Sequence, residues 1–327
     1  MTAVESDVWV FSERRDVALE LLAKARELAS GLGGVVCALA LGTEPEGDSE
    51  AFLHHGADRV LSVKSPSLRD SLPEPFSEAI ARLASERRPG VLLVGSTKKG
   101  KDIAARAAAR LQTGVMADCV ELRIDSENRQ LVVDRPSYGG ILTSTEVCTT
   151  RPQVATVPPR VFEAATEQQG SPGEVVRVEM ELTPPKTRVV GVAPKEAKGV
   201  KLEEAEVVVA GGRGVAKKED FRILQELAHA LGGEVGCSSP IAEDLKWLPL
   251  ERLIGLSGCK VKPKLYVACG ISGQAQHVTG MRGSRVVVAV DSNPEAPIFQ
   301  QSDYFVVGDL YEVIPALTEA FKRILQK

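Results

Sequence analysis

The residues whose types and spacing could do chemistry lie in one stretch, Lys264 to Asn293, KLYVACGISGQAQHVTGMRGSRVVVAVDSN. Leu265 to Ala268 has the continuous apolar character of a buried strand, and the chain then breaks into Gly270-Ile271-Ser272-Gly273. Glycines on either side of a serine leave no Cβ to keep an anion away from main-chain N–H groups. Gln274, Gln276 and His277 follow in a polar segment. Val286 to Val290 is a second buried strand, closed by Asp291. Strand, glycine turn, polar segment, strand and acid is how an open α/β sheet presents a nucleotide at its carboxyl edge. The same pattern also fits an ordinary βα turn with no ligand.

The whole chain limits what such a site can serve. Its 327 residues exceed what one core usually fills, so two domains are expected. A composition of 43% hydrophobic and 26% charged residues is that of a soluble globular protein. The net charge of -4 argues against nucleic acid as partner, and 4% aromatics offer few platforms for stacking bases. No apolar run approaches the ~20 residues of a membrane span. The opening MTAVESDVWVF lacks the basic and apolar regions of a signal peptide. Six cysteines form no CxxC pair and lie mostly in apolar runs, as reduced core thiols of a cytoplasmic protein would. The four histidines have no metal-ligand spacing with them, so no metal is expected.

Elements that must position the site follow from patterning. Val8–Phe11, Val35–Leu41, Arg59–Val63 and Val91–Val94 read as buried strands. Between them lie helical patterns, the first with Leu19, Leu22, Ala25 and Leu28 on one face and Ser12 as a candidate cap. Alternation of this kind indicates parallel βαβ units. Gly95 to Asp102, GSTKKGKD, precedes an alanine-rich helix; it could bind phosphate but lacks Walker A spacing and reads better as a capping loop. From Met116 to Phe162, four β-rich runs (120–124, 131–133, 141–145 and 153–157) suggest antiparallel strands added to the parallel sheet. Val175–Leu182 and Val189–Val192 are also β-like, and Ala193–Gly199 reads as a linker. Domains of 1–195 and 196–327 are therefore expected.

In the second domain, Val207–Ala210 is a strand that ends in Gly211-Gly212-Arg213-Gly214, followed by a helix over 220–231. Then come Gly236-Cys237-Ser238-Ser239-Pro240 and a predicted strand, Arg252–Leu256, ending in Ser257-Gly258. Leu310–Leu325 is a last amphipathic helix. GGRG, GCSSP, LSG and GISG thus read as four small polar turns at strand ends, across which an extended cofactor could lie. None is GxGxxG, which disfavours a plain NAD site. No nucleophile elbow and no helix-borne acid–base pair is present, so the chain reads as a carrier or binder rather than an enzyme.

Together these turns resemble the α subunit of the electron transfer flavoproteins. The resemblance runs through LYVACGISGQAQHVTGMRGS at 265–284 and NPEAPIFQQSDYFVVGDL at 293–310. It extends to GSTKKGKDIAARAAARLQTGVMADC, RPSYGG and RPQVATV in the first domain. It implies an α/β fold of two domains, each with a mainly parallel sheet flanked by helices, the C-terminal one a doubly wound FAD-binding fold. It also implies a heterodimer with a β subunit on which the N-terminal domain packs, and electron exchange with flavoprotein dehydrogenases. By position, Arg213 would lie near the pyrophosphate or adenosine of FAD. Ser257 would donate toward flavin N5 or O4. Ser272 and its glycine neighbours, Gly270 and Gly273, would hold the pyrophosphate. His277 would reach flavin O2, Ser238 would lie beside the ring, and Asp309 would contact the adenosine end. Leu256, Gly258, Ile271, Gln274, Gln276 and Leu310 would belong to the same cofactor-binding set. Two positions depart from the family: Ser239 stands where an arginine is usual, and Asp291 where an asparagine is usual. Within this class the chain could serve a simple carrier or an NADH-dependent bifurcating complex. A nucleotide-binding regulatory or scaffold subunit is the alternative that the departures motivate. An NAD-dependent enzyme of sirtuin-like fold is a third, which the lack of a CxxC pair disfavours.

Overall fold

The computed structural model describes residues 6–70, 72–140, 142–167, 173–192 and 201–325. The chain divides into two compact units between Val192 and Ala193.

The first unit opens with β1 (Val8–Phe11), α1 (Arg15–Leu32), β2 (Val36–Gly42), α2 (Glu46–His54) and β3 (Arg59–Lys64). It continues through α3 (Pro73–Arg87), β4 (Val91–Gly95), α4 (Lys98–Leu111) and the short β5 (Val115–Met116). After β6 (Glu121–Asp125), β7 (Gln130–Ser137) and β8 (Leu142–Val147) come β9 (Gln153–Val157) and β10 (Glu174–Val178). Seven strands form a sheet in the order β10-β3-β2-β1-β4-β9-β5, every pair parallel. Its strands are apolar without a break because both faces are covered: Val8 and Val10 enter the core under α1, and Trp9 and Phe11 the core under α3 and α4. Ser12 does not cap α1; its Oγ accepts from the N–H of Arg14, which itself occupies the cap position (3.1 Å). The GSTKKGKD loop does cap a helix, since Thr97 Oγ1 accepts from Gly100 N–H at 2.8 Å.

The run from Met116 to Phe162 corrects the expectation of antiparallel strands joined to the main sheet. β6, β7 and β8 form their own three-stranded antiparallel sheet, while β9 lies inside the parallel one between β4 and β5. Burial explains the split. All five residues of β9 are buried, as a strand covered on both faces requires, whereas β6 and β7 alternate and have one wet face. Val189–Val192 forms no strand: Val190 and Val192 are almost wholly exposed, and β-branched residues need a packed neighbour to become a strand. The expected linker and the boundary at residues 195–196 lie outside the described residues.

The second unit contains β11 (Val207–Gly211), α5 (Phe221–Ala230), β12 (Glu234–Cys237) and β13 (Leu265–Cys269). It ends with α6 (Ala275–Met281), β14 (Val286–Asp291), β15 (Tyr304–Val307) and α7 (Leu310–Leu325). Its five strands run parallel in the order β12-β11-β13-β14-β15. Helices α5 and α7 cover one face through Val209, Val267 and Val290; α6 and the turn Pro297–Gln301 cover the other through Val208, Tyr266 and Ala289. This is the doubly wound arrangement. After β11 the chain goes to one side and after β12 it crosses to β13 on the other, so the switch point of the sheet lies between β11 and β13.

The predicted strand Arg252–Leu256 is also corrected. Residues Leu250–Arg252 form a 3-10 turn, and only Leu253 and Ile254 make single bridges, to Cys237 and Cys259. Gly255 ends the run at φ +151, where a Cβ would come within 2.9 Å of the Gln276 carbonyl oxygen. LSG is therefore a loop beside the sheet, not a strand end.

Candidate functional site

The switch point forces two turns together. Gly212 N–H donates to Cys269 O at 2.9 Å and Gly214 N–H to Gly270 O at 3.0 Å, so GGRG is stitched onto the end of β13. The two backbones touch: a Cβ on Gly214 would lie 2.6 Å from Gly270 Cα, and Gly270 itself has φ +60. Only glycine meets both conditions. Above this seam a cleft of ≈ 920 Å³ opens along the carboxyl edge, a volume in the range of cofactor sites.

Of the residues singled out in the sequence, the structure brings Arg213, Ser238, Ser239, Gly270, Ile271, Ser272, Gln274, Gln276, His277, Asp291, Asp309 and Leu310 to this one cleft. Leu256, Ser257, Gly258 and Gly273 do not line it. The loop carrying the first three reaches its wall through Leu256 N–H, which donates to Gln276 O at 2.7 Å. Gly273 lies beneath the turn, against the backbone of Ile298. Gly214, Pro240, Ser292, Gly308 and Tyr311 complete the lining and were missed. Four of them sit within or beside turns already marked. Tyr311 carried no local signal, because its place depends on a distant loop: its hydroxyl accepts from Ala216 N–H at 2.9 Å and donates to Asp220 at 2.6 Å.

Ser238 is buried and its N–H donates to Gly211 O at 3.1 Å, which ties GCSSP to the end of β11. Ser239 Oγ donates to the Glu243 carboxylate. Asp309 caps α7 by accepting from Tyr311 N–H at 2.8 Å, and Asp291 accepts from Asn293 N–H at 2.9 Å. Arg213 is the one cation among the described lining residues. It pairs with Asp244 at 3.4 Å, with both side chains mostly exposed, so the pair is worth little and leaves the guanidinium available.

His277 stands apart. It is 6% exposed, and its Nε2 lies 2.8 Å from the hydroxyl of Tyr266, which is fully buried. Nδ1 is buried and meets no partner at full hydrogen-bond geometry among the described residues. Burial pushes the ring down to about 4, against an opposite pull from a hydrogen-bonding contact with the Ile254 carbonyl, so the imidazole is neutral at pH 7. A buried polar atom without a partner in the wall of a cleft is one that a ligand can satisfy.

None of the six cysteines forms a disulfide; desolvation raises Cys37, Cys119, Cys237 and Cys269 to about 12, which makes them inert core thiols. Among the described residues no helix is long and apolar enough to cross a membrane.

Comparison with known proteins agrees on both units. Residues 8–183 match the family model of the electron transfer flavoprotein domain, and residues 201–282 that of the electron transfer flavoprotein FAD-binding domain. The electron transfer flavoprotein subunit alpha of Thermoanaerobacterium thermosaccharolyticum is 42% identical over 97% of this chain and 98% of its own. Protein FixB of Azotobacter vinelandii is 39% identical over 96% of this chain and 91% of its own. Subunit LctC of the lactate dehydrogenase (NAD(+),ferredoxin) of Acetobacterium woodii is 40% identical over 92% of this chain and 72% of its own.

Proposed function

The chain belongs to the α-subunit family of the electron transfer flavoproteins, and from that premise we propose that it holds one FAD in the switch-point cleft and carries electrons as half of a heterodimer. The observation that carries this reading is His277: a neutral imidazole with one unpartnered nitrogen in the wall of a dinucleotide-sized cleft. The glycine seam lets the main chain approach a pyrophosphate, and Arg213 is free to meet it. Bound there, FAD supplies the redox centre. The chain supplies binding, orientation and a fixed electrostatic field. The first unit is proposed to pack on a β subunit, the assembly to exchange electrons with flavoprotein dehydrogenases, and the whole to work in the cytoplasm.

Ser257, Leu256 and Gly258 enter this proposal as a loop that completes the ring end of the site, joined to it through Gln276. Gly273 enters as the support of the turn. The test is the absorption spectrum of the chain purified with its β partner. Flavin bands in stoichiometric amount are expected; their absence overturns this reading in favour of a scaffold subunit. The similarity to LctC favours a second version, in which the heterodimer serves a complex that uses NAD(+) and ferredoxin. Ferredoxin reduction by NADH in the reconstituted complex would separate it from the simple carrier.

Two substitutions probe the electrostatics. His277→Ala removes a donor from the place where negative charge gathers on reduction, a loss of roughly 1–3 kcal/mol. The two-electron potential should fall by about 20–65 mV, at 30 mV per 1.4 kcal/mol. An unchanged potential would make the histidine structural. Ser239→Arg restores the family's usual cation. At about 4 Å and an effective dielectric of 20 such a charge is worth roughly 4 kcal/mol, and screening reduces this to about 1–2 kcal/mol. The potential for the first electron should rise by about 40–90 mV. Because Glu243 already holds Ser239, it will pair with the new arginine and blunt the effect. Ser239→Arg with Glu243→Gln should therefore shift the potential further than Ser239→Arg alone in a redox titration. No shift in either variant means that position 239 does not face the flavin.

A further inference from the structure

We propose that Tyr266 is a positioning residue for the cleft: its hydroxyl donates to His277 Nε2 and so fixes the ring as the tautomer that carries its proton on Nδ1. The inference rests on the cleft being the flavin site and concerns a residue outside its lining. Tyr266 sits on β13 with its side chain in the core formed by Ile254, Ile271, Val278 and Met281, and has no exposed surface. Its hydroxyl is 2.8 Å from His277 Nε2, and among the described residues that ring is the hydroxyl's one hydrogen-bond partner.

Both groups are neutral at pH 7, because burial raises the Tyr266 hydroxyl well above its usual range and lowers the imidazole. The pair then holds two protons, one on the phenol and one on the ring, and two arrangements are open. If Tyr266 O–H donates to Nε2, the phenol proton is used and the ring proton sits on Nδ1. If instead Nε2–H donates to the phenol oxygen, the phenol proton is left among apolar side chains with no acceptor. Nδ1 is then also bare and unpaired. The second arrangement adds a buried unmade donor, which disfavours it roughly tenfold or more. The first leaves the buried Nδ1 proton as the ring's one donor without a partner at full hydrogen-bond geometry, with the Ile254 carbonyl also acting on the ring. His277 lines the cleft, so a ligand that reaches Nδ1 must accept a hydrogen bond there, and a ligand N–H is rejected.

The test uses the full chain with 15N-labelled histidine, assembled with its partner subunit. In the wild type the His277 signals should show a protonated Nδ1 and a bare Nε2 at pH 7. Tyr266→Phe removes the donor with little change of shape. The Nε2–H form should rise from under about a tenth to a comparable share, and the flavin potential should fall. Tyr266→Phe added to His277→Ala should lower the potential no further than His277→Ala does. A proton on Nε2 in the wild type overturns the proposal. So does a Tyr266→Phe variant with an unchanged tautomer or potential. Should that variant fail to fold, the wild-type spectrum alone decides. If no flavin is retained, the functional reading fails, while the tautomer of the flavin-free protein still tests the role of Tyr266.

Discussion

The stability gap between the wild type and His277→Gln should narrow by about 2–3 kcal/mol between pH 7 and pH 4.5. The cause is the lowered folded-state pKa of His277, about 4 against 6.5 in an unfolded chain. Below pH 6.5 the unfolded chain takes up a proton that the folded chain refuses until about pH 4. The contribution is thus fully present above the unfolded value and is lost as pH falls through this window. At 1.36 kcal/mol per pKa unit the full loss approaches about 3 kcal/mol. Carboxylates also titrate here, but they do so in both proteins and cancel in the difference. Urea unfolding of both proteins across the window measures it. A gap that does not change with pH would mean that the folded protein accepts the proton, and that His277 is not the desolvated imidazole described above.

Gly273→Ala should destabilise the C-terminal unit by about 3 kcal/mol or more and, on the proposed function, impair flavin retention. Gly273 has φ +89, and a Cβ there would lie 2.2 Å from Ile298 N and 2.5 Å from its Cα. Ile298 N–H donates to Ser272 O at 3.0 Å, so the turn under the cleft and the turn Pro297–Gln301 would have to separate and lose this bond. The left-handed backbone costs roughly 1–2 kcal/mol for alanine, and overpacking against rigid backbone adds about 1–3 kcal/mol. Gly232→Ala is the control in the same unit. It has φ +67 but nothing within 4 Å of its Cβ, so only the backbone cost of about 1 kcal/mol should appear. Equal losses in the two variants would show that conformation, not contact, makes Gly273 necessary.

Much of this architecture was legible along the chain. Val207–Gly211, Leu265–Cys269 and Val286–Asp291 are runs of small and β-branched apolar residues, which a strand buried on both faces demands. The glycines at 212, 214, 270 and 273 mark places where the chain turns sharply, and the amphipathic period of Leu310–Leu325 marks a helix. These are local properties, dictated by each segment's own steric and solvation preferences. Resemblance to a family then extended them to a cofactor and to named residues.

The tertiary structure alone decided who meets whom. GGRG joins GISG because β11 and β13 are neighbours at the switch point, a pairing between residues 56 and 57 positions apart. Val-rich Gln153–Val157 and the weaker Arg252–Leu256 look alike as short apolar runs. One finds a place between two strands, while the other is broken by Gly255 against Gln276 and stays a loop. Tyr266 reads as one more core residue until the fold lays its hydroxyl on His277, and Tyr311 as one more helix residue until Ala216 and Asp220 reach it. Ser239 could be marked in the sequence as a missing charge, but not as a hydroxyl bound to Glu243. Periodicity reports that a side chain will be buried; it carries no information on the partner, because the partner is chosen by packing distant segments together.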